Sequence, residues 1–212
     1  MARVRVHQHV NPLAKYYREL PIEPLDPAKV FEDSSLPLHL DIGCGRGRFL
    51  LEMSEANKDR NFLGIEIREP LVIEANEIRD SRNLGNLHYE FCNATIDLNV
   101  LLRELPKGVL QFVSIQFPDP WFKKRHSKRR MVKDKLVETI SDHISADGSI
   151  LIQTDVEFLA REMFQLFEEA GFEKLPINEN PLEIKTEREK SVLNRNLPVY
   201  LAVFKKETGN RS

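Results

Sequence analysis

The stretch Leu40-Asp41-Ile42-Gly43-Cys44-Gly45-Arg46-Gly47 places three glycines at alternate positions directly after an acidic residue. Glycines so spaced let the backbone turn sharply and approach a ligand closely. A helix opening behind them offers N–H groups to a polar or anionic group. The spacing is G-x-G-x-G, tighter than the G-x-G-x-x-G that cradles a dinucleotide pyrophosphate. S-adenosylmethionine, a nucleoside without pyrophosphate, suits the loop, with its ammonium against Asp41 beside Gly43 and Gly45. Glu66 ends a second apolar run, where a carboxylate can accept from both ribose hydroxyls. Asn93-Ala94 follows a third, where an amide side chain or a backbone group can bond the adenine edge. Each residue alone also fits a turn or a cap. Together, at successive strand ends, they favour a nucleoside site.

A fourth run ends in Ile115-Gln116-Phe117-Pro118-Asp119-Pro120-Trp121-Phe122. Two prolines hold Asp119 in an extended, rigid segment. Trp121 and Phe122 offer flat faces to a base or to the core. Lys123-Lys124-Arg125-His126-Ser127-Lys128-Arg129-Arg130 follows, with six Lys or Arg among eight residues in a chain of net charge −2. Cations concentrated beside one candidate cleft suit phosphate binding.

Positioning these groups needs alternating strands and helices. Strands are predicted at Leu38–Ile42, Phe62–Ile67, Leu87–Cys92, Val109–Phe117, Ser149–Gln153 and Val199–Phe204, with a short one near Leu175. Helices are predicted at Arg46–Ala56, Leu71–Arg82, Leu98–Leu105, Arg130–Ile144 and Val156–Ala170, the last stopped by Gly171. Such alternation makes an α/β fold with a parallel sheet covered on both faces. With 212 residues, 41% of them hydrophobic and 30% charged, one domain with a substantial core is expected. Residues 1–35, with four prolines and several cations, read as a basic arm, 36–206 as the domain and 207–212 as a polar tail. No run approaches the ~20 apolar residues of a membrane helix and no signal peptide is visible, so a cytoplasmic protein without a membrane partner is expected. Cys44 and Cys92 read as small residues at strand ends rather than a metal or disulfide pair. His7 and His9 lack a third ligand nearby, so no metal is expected.

The chain resembles one family over almost its whole length: the bacterial single-chain tRNA (guanine-N7)-methyltransferases. The matching stretches are R-x-R-x-H-Q-H-V-N-P-L at the N-terminus, Asp41 to Gly45, Gly64 to Ile67, Phe117 to Arg130, Gln153 to Asp155 and Thr186 to Glu189. The P-D-P-W segment with its basic continuation is the most specific. The resemblance implies a class I methyltransferase fold, a Rossmann-like three-layer sandwich. Its mostly parallel sheet has seven strands, the last antiparallel. It implies cofactor roles for Asp41, Glu66 and Asn93, and both a cofactor and a catalytic role for Asp119. Substrate roles fall to Lys123, Asp155 and the segment from Thr186 to Glu189. Contact with tRNA falls to Arg125, His126, Lys128, Arg129 and Arg130. The implied target is the guanosine of the tRNA variable loop, handled by a monomer or homodimer with no second subunit. Two residues depart from the pattern: Asn93 stands where many relatives carry an aspartate, and Arg188 replaces an aromatic in T-x-F-E.

Guanine N7 carries an exposed lone pair and no proton, so its methylation needs alignment more than a strong base. A carboxylate near the ring favours charge transfer from sulfonium to purine. Asp119, Asp155 or Glu189 can accept the guanine N1 and N2 hydrogens, with Lys123 on a nearby phosphate. A nicotinamide reductase would need G-x-G-x-x-G. An adenine amino-group methyltransferase would carry N/D-P-P-Y/F in place of P-D-P-W. A non-catalytic RNA-binding module would leave the three strand-end positions unexplained.

Overall fold

In a computed structural model of the chain, residues 9–206 are described; Arg3, Arg5, His7 and the expected tail at 207–212 lie outside them. The sheet is built from β1 (Leu38–Ile42), β2 (Asn61–Glu66), β3 (Leu87–Phe91), β4 (Leu110–Gln116), β5 (Ser149–Thr154), β6 (Phe172–Leu175) and β7 (Tyr200–Lys206). Their order is β3-β2-β1-β4-β5-β7-β6. Strands β1 to β5 pair in parallel, and β7 is antiparallel to both β5 and β6. Every residue of β1 and β2 is buried, as in a parallel sheet covered on both faces.

Alternation along the strands separates two apolar faces. Leu40, Ile42, Leu63, Ile65, Val113 and Ile115 point to one. There they meet α5 (Ala94–Leu102), α6 (Asp134–His143) and α7 (Glu157–Glu169). On the other face, α3 (Arg48–Ala56) and α4 (Glu69–Ser81) pack Phe49, Leu50, Val72 and Ala75 against Phe62, Leu87 and Tyr89. The chain runs outward from β1 through β2 to β3, then returns to lay β4 on the opposite side of β1. This reversal opens a crevice at the carboxyl ends of β1 and β4, the place where such sheets bind ligands.

Several boundaries differ from the sequence expectation. Helix α5 begins at Ala94, not Leu98, because the Asn93 side chain accepts from Thr95 N and caps it. Helix α6 begins at Asp134, because Arg130 is extended and tied elsewhere. An unexpected helix, α8 (Glu187–Leu193), is capped by Thr186, whose hydroxyl accepts from Glu189 N. T-E-R-E has the spacing of a capping box, so the sequence does carry a signal for this helix. The prolines limit the described part of the arm to two single turns, α1 (Lys15–Arg18) and α2 (Pro27–Val30). Its second half is not a loose arm, however. Leu25 and Phe31 are buried in the main core, and Leu25 N donates to Leu101 O. Apolar side chains set between prolines fill a gap beside α5.

The face of the sheet under α3 also carries a buried polar chain. His39 Nε2 lies 2.8 Å from Ser114 Oγ, which donates to Asp41 at 2.6 Å. Gln116 also donates to Asp41, Gln153 donates to Gln116 and to Glu189, and Asn180 donates to Glu189. His39, Ser114 and Asp41 form no nucleophilic triad: the serine proton points to the carboxylate, and the imidazole and hydroxyl are fully buried.

Burial holds the His39 pKa down at about 3. The native state therefore keeps this ring neutral while the unfolded chain takes up a proton below about 6.5. Stability tied to His39 is thus present above that pH and lost as pH falls toward 3, by up to about 1.4 kcal/mol per pH unit. Asp41, raised to about 6 by burial, acts in the opposite sense. Its contribution favours the native state at acid pH and fades as pH rises through 6. His39→Gln keeps a donor for Ser114 and removes the titration. Its stability, measured by urea denaturation from pH 7 to 4, should fall less steeply than that of the unaltered protein. Equal slopes would rule out His39 as an acid-labile group.

Candidate active site

The glycine loop is fastened to the end of β2. Gly43 N and Cys44 N both donate to Ile65 O, and Gly45 N donates to Glu66 Oε2 at 3.0 Å. Gly43, Gly45 and Gly47 all have positive φ, so the loop doubles back tightly. Asp41, the last acidic residue before it, is buried, and both Ser114 and Gln116 donate to its Oδ1.

Two adjoining hollows open above these strand ends. One is lined by Gly43, Glu66, Asn93, Ala94, Asp119 and Trp121. The other is lined by Asp41, Gly45, Asp119, Asp155, Thr186 and Arg188. The tips of β1 to β4 thus gather Asp41, Glu66, Asn93 and Asp119 around one cleft. Arg68, absent from the sequence expectation, lines both hollows. Its Nε donates to Glu66 Oε1 at 2.9 Å, its Nη2 to Oε2 at 2.9 Å, and its backbone N to Oε1 at 3.0 Å. Glu66 is buried, so this bidentate pair sits in a weakly screened setting. The hydrogen bonds to Glu66 raise the guanidinium pKa further. The available signal was a cation two residues after a buried acid.

Asn93 reaches the cleft, but its amide is engaged. Nδ2 donates to Pro12 O at 2.9 Å and Tyr17 O at 3.0 Å, while Oδ1 caps α5. This pins the first part of the arm across the first hollow, where Val10 and Pro12 form part of the lining. An aspartate at 93 would have no proton for either carbonyl. Of the two options the sequence raised at Asn93-Ala94, the side-chain amide is thus already occupied within the protein. His9, half exposed to solvent, places Nδ1 2.7 Å from Asp119 Oδ1.

The three carboxylates offered for guanine are not equivalent. Glu189 is 2% exposed and accepts from Gln153 and Asn180, so it supports the wall of the site instead of facing it. Asp155 pairs with Arg188, the residue that departs from the T-x-F-E pattern. Asp119 stands at the junction of the two hollows with 41% of its side chain exposed.

The basic run forms a 3-10 turn, Lys124–Arg129, and divides in two. Lys123, Lys124, Arg125 and Lys128 are exposed. Arg129 and Arg130, also expected to contact RNA, are half-buried and engaged within the protein. Arg129 lies over the Trp121 ring at 5.0 Å. Arg130 pairs with Glu162, donates to Pro120 O and sits over the Phe158 ring. His126 packs edge-on to Trp121. Cys44 and Cys92 are free thiols, and burial pushes both above their ordinary pKa.

A family model described as "Putative methyltransferase" matches residues 35–202. The sequence is 51% identical over 208 residues to the tRNA (guanine-N(7)-)-methyltransferase of Trichormus variabilis, covering 96% of each chain. It is 52% identical to the enzyme of the same name from Synechococcus elongatus, covering 96% of this chain and 97% of the relative. Among solved structures, an aminoglycoside resistance methyltransferase, NpmB1, superposes with a TM-score of 0.53 at 16% identity, over 85% of this chain and 90% of the other. That last likeness speaks to the fold alone.

Proposed function

The chain belongs to the tRNA (guanine-N7)-methyltransferase family, and from that premise we propose that it moves a methyl group from S-adenosylmethionine to N7 of the guanosine in the tRNA variable loop. The observation that carries this reading is the convergence of Asp41, Glu66, Asn93 and Asp119 on one cleft at the tips of β1 to β4.

The donor set fits the proposed methyl donor. Arg68 presents two parallel N–H groups to the two oxygens of Glu66, the donor pattern of a ribose diol. A bound ribose would replace that guanidinium. Asp41 offers a carboxylate beside the glycine loop for the ammonium. The adenine-side hollow is walled by Ile65, Cys92 and Ala94, an apolar slot for a purine.

When bound, the sulfonium supplies an electrophilic methyl for the N7 lone pair. The residues of this chain hold the two reactants in line and exclude water, an arrangement that contributes about 7–11 kcal/mol when alignment is good. Asp119, at the junction of the hollows, takes the guanine N1 and N2 hydrogens and stabilises the purine cation. Asp155, held by Arg188, and Thr186 shape the wall beyond it. Lys123 is a phosphate contact at the rim. The decisive test is incubation with tRNA and S-adenosylmethionine, nucleoside digestion and mass spectrometry. 7-Methylguanosine is expected. Methyl on another atom, or none, overturns the reading.

The environment of Asp41 makes donor binding depend on pH. Burial raises its pKa to about 6, yet an ammonium partner requires the ionised form. Below pH 6 the site must first lose a proton, so the Kd for S-adenosylmethionine should rise by up to about tenfold per pH unit. Calorimetry at pH 7, 6 and 5 checks this, and Asp41→Asn should bind weakly with little dependence on pH. A Kd unchanged from pH 7 to 5 would remove the ammonium contact.

A further inference from the structure

Phe122 is 70% exposed at the mouth of the larger hollow. Trp121 before it has φ +43°, a left-handed conformation that a bulky residue adopts only when its surroundings hold it there. The turn sends the two consecutive rings apart. Trp121 packs between Arg129 and His126, while Phe122 stands out toward solvent.

The exposed ring is supported from behind. Phe158 meets it edge-on at 6.0 Å between centroids, and the Arg130 guanidinium lies 5.0 Å from the Phe158 centroid. Arg130 is in turn fastened to Pro120 O and Glu162. These contacts stack a cation, a buttressing ring and an open ring in a fixed row. Lys123, Lys124 and Arg125, all exposed, follow directly. An open aromatic face beside cations suits an unstacked nucleobase: the cations take phosphates and the ring takes the base face. An apolar protein surface would instead have to desolvate those cations without recompense.

We propose that Phe122 is a stacking platform for a nucleobase next to the target guanosine, drawn out of the RNA stack together with it. The target itself must enter deeper, between Asp119 and Asp41, which leaves the rim to its neighbour. Stacking there offsets part of the cost of unstacking the loop. The assignment rests on the methyltransferase reading of the same cleft.

The test uses the full chain with tRNA and three variants, F122A, F122L and F122W. F122A and F122L should lower kcat/KM for tRNA by about five- to a hundredfold, with the Kd for S-adenosylmethionine within twofold of the unaltered protein. F122W should retain activity. A tRNA carrying 2-aminopurine beside the target guanosine should be quenched by the unaltered protein and by F122W, and much less by F122L. Leucine keeps the apolar bulk and removes only the ring, so F122L with unaltered kcat/KM and full quenching would overturn the proposal. A parallel loss of donor affinity in F122L would overturn it too, by showing a structural role. Absence of 7-methylguanosine with the unaltered protein would instead sink the underlying reading.

Discussion

Asp119→Ala is expected to lower kcat by on the order of 10²- to 10³-fold, with S-adenosylmethionine affinity falling by no more than a few-fold. Its position accounts for the split. Of the carboxylates near the cleft, Glu66 is committed to Arg68 and the glycine loop, Asp155 to Arg188, and Glu189 to Gln153 and Asn180. Asp119 alone in this group borders both hollows; its ion pair with His9, on Oδ1, is an exposed one, and the Arg68 charge lies near enough to interact with it. A guanine arriving at N1 and N2 competes with one exposed imidazole rather than with a buried network. The flanking prolines fix the carboxylate before substrate arrives, so little reorganisation is left for the transition state. Single-turnover measurement at saturating tRNA reads the chemical step directly. Asp119→Asn should be almost as slow, because an amide brings no charge to stabilise the methylated purine. Turnover of either variant within a few-fold of the unaltered protein would take Asp119 out of the mechanism.

The parts of the site carried by a strand end were legible in the sequence. Asp41, Glu66, Asn93 and Asp119 each follow a buried apolar run, and such runs mark the central strands of a parallel sheet whichever side chains surround them. Strand β1 has its predicted bounds for the same reason. Residues acting through partners distant in sequence were not legible. The basic run reads as one solvated patch, but the partner of Arg130 is Glu162, on a helix 32 residues away. Nothing in the run separates a strut from a free cation. Glu189 has the residue type of a ligand, yet Gln153 and Asn180 claim it. Gln116 looks like an ordinary strand residue until the register between β1 and β4 sets it near Asp41. Arg68 is the exception: its partner Glu66 is only two residues away, and what the sequence hides is how the chain turns after β2 to bring the two together.

The glycine loop shows how one motif can serve two purposes. Gly47→Ala is expected to destabilise the fold by about 3 kcal/mol, from overpacking and left-handed strain together. That lowers Tm by about 6–12 °C for a chain of this size. A Cβ at this position would sit 2.4 Å from Tyr89 Cε1 and 2.5 Å from Cζ. Tyr89 cannot withdraw: its ring is fully buried, and its hydroxyl donates to Gly47 O at 2.5 Å. Gly47 also has φ +69° as the residue capping α3, so alanine there meets a clash and an unfavourable backbone at once. Gly171→Ala isolates the second effect, since Gly171 has φ +83° and a Cβ added there would meet nothing within 4 Å. It should cost about 1–2 kcal/mol. The excess at Gly47 belongs to Tyr89, and Tyr89→Leu combined with Gly47→Ala should be less damaging than the sum of the two changes. Strict additivity in thermal denaturation would show that the ring is not what forbids a side chain there. The first two glycines line the cleft, whereas the third is set by the core behind the loop, and the spacing G-x-G-x-G records both demands.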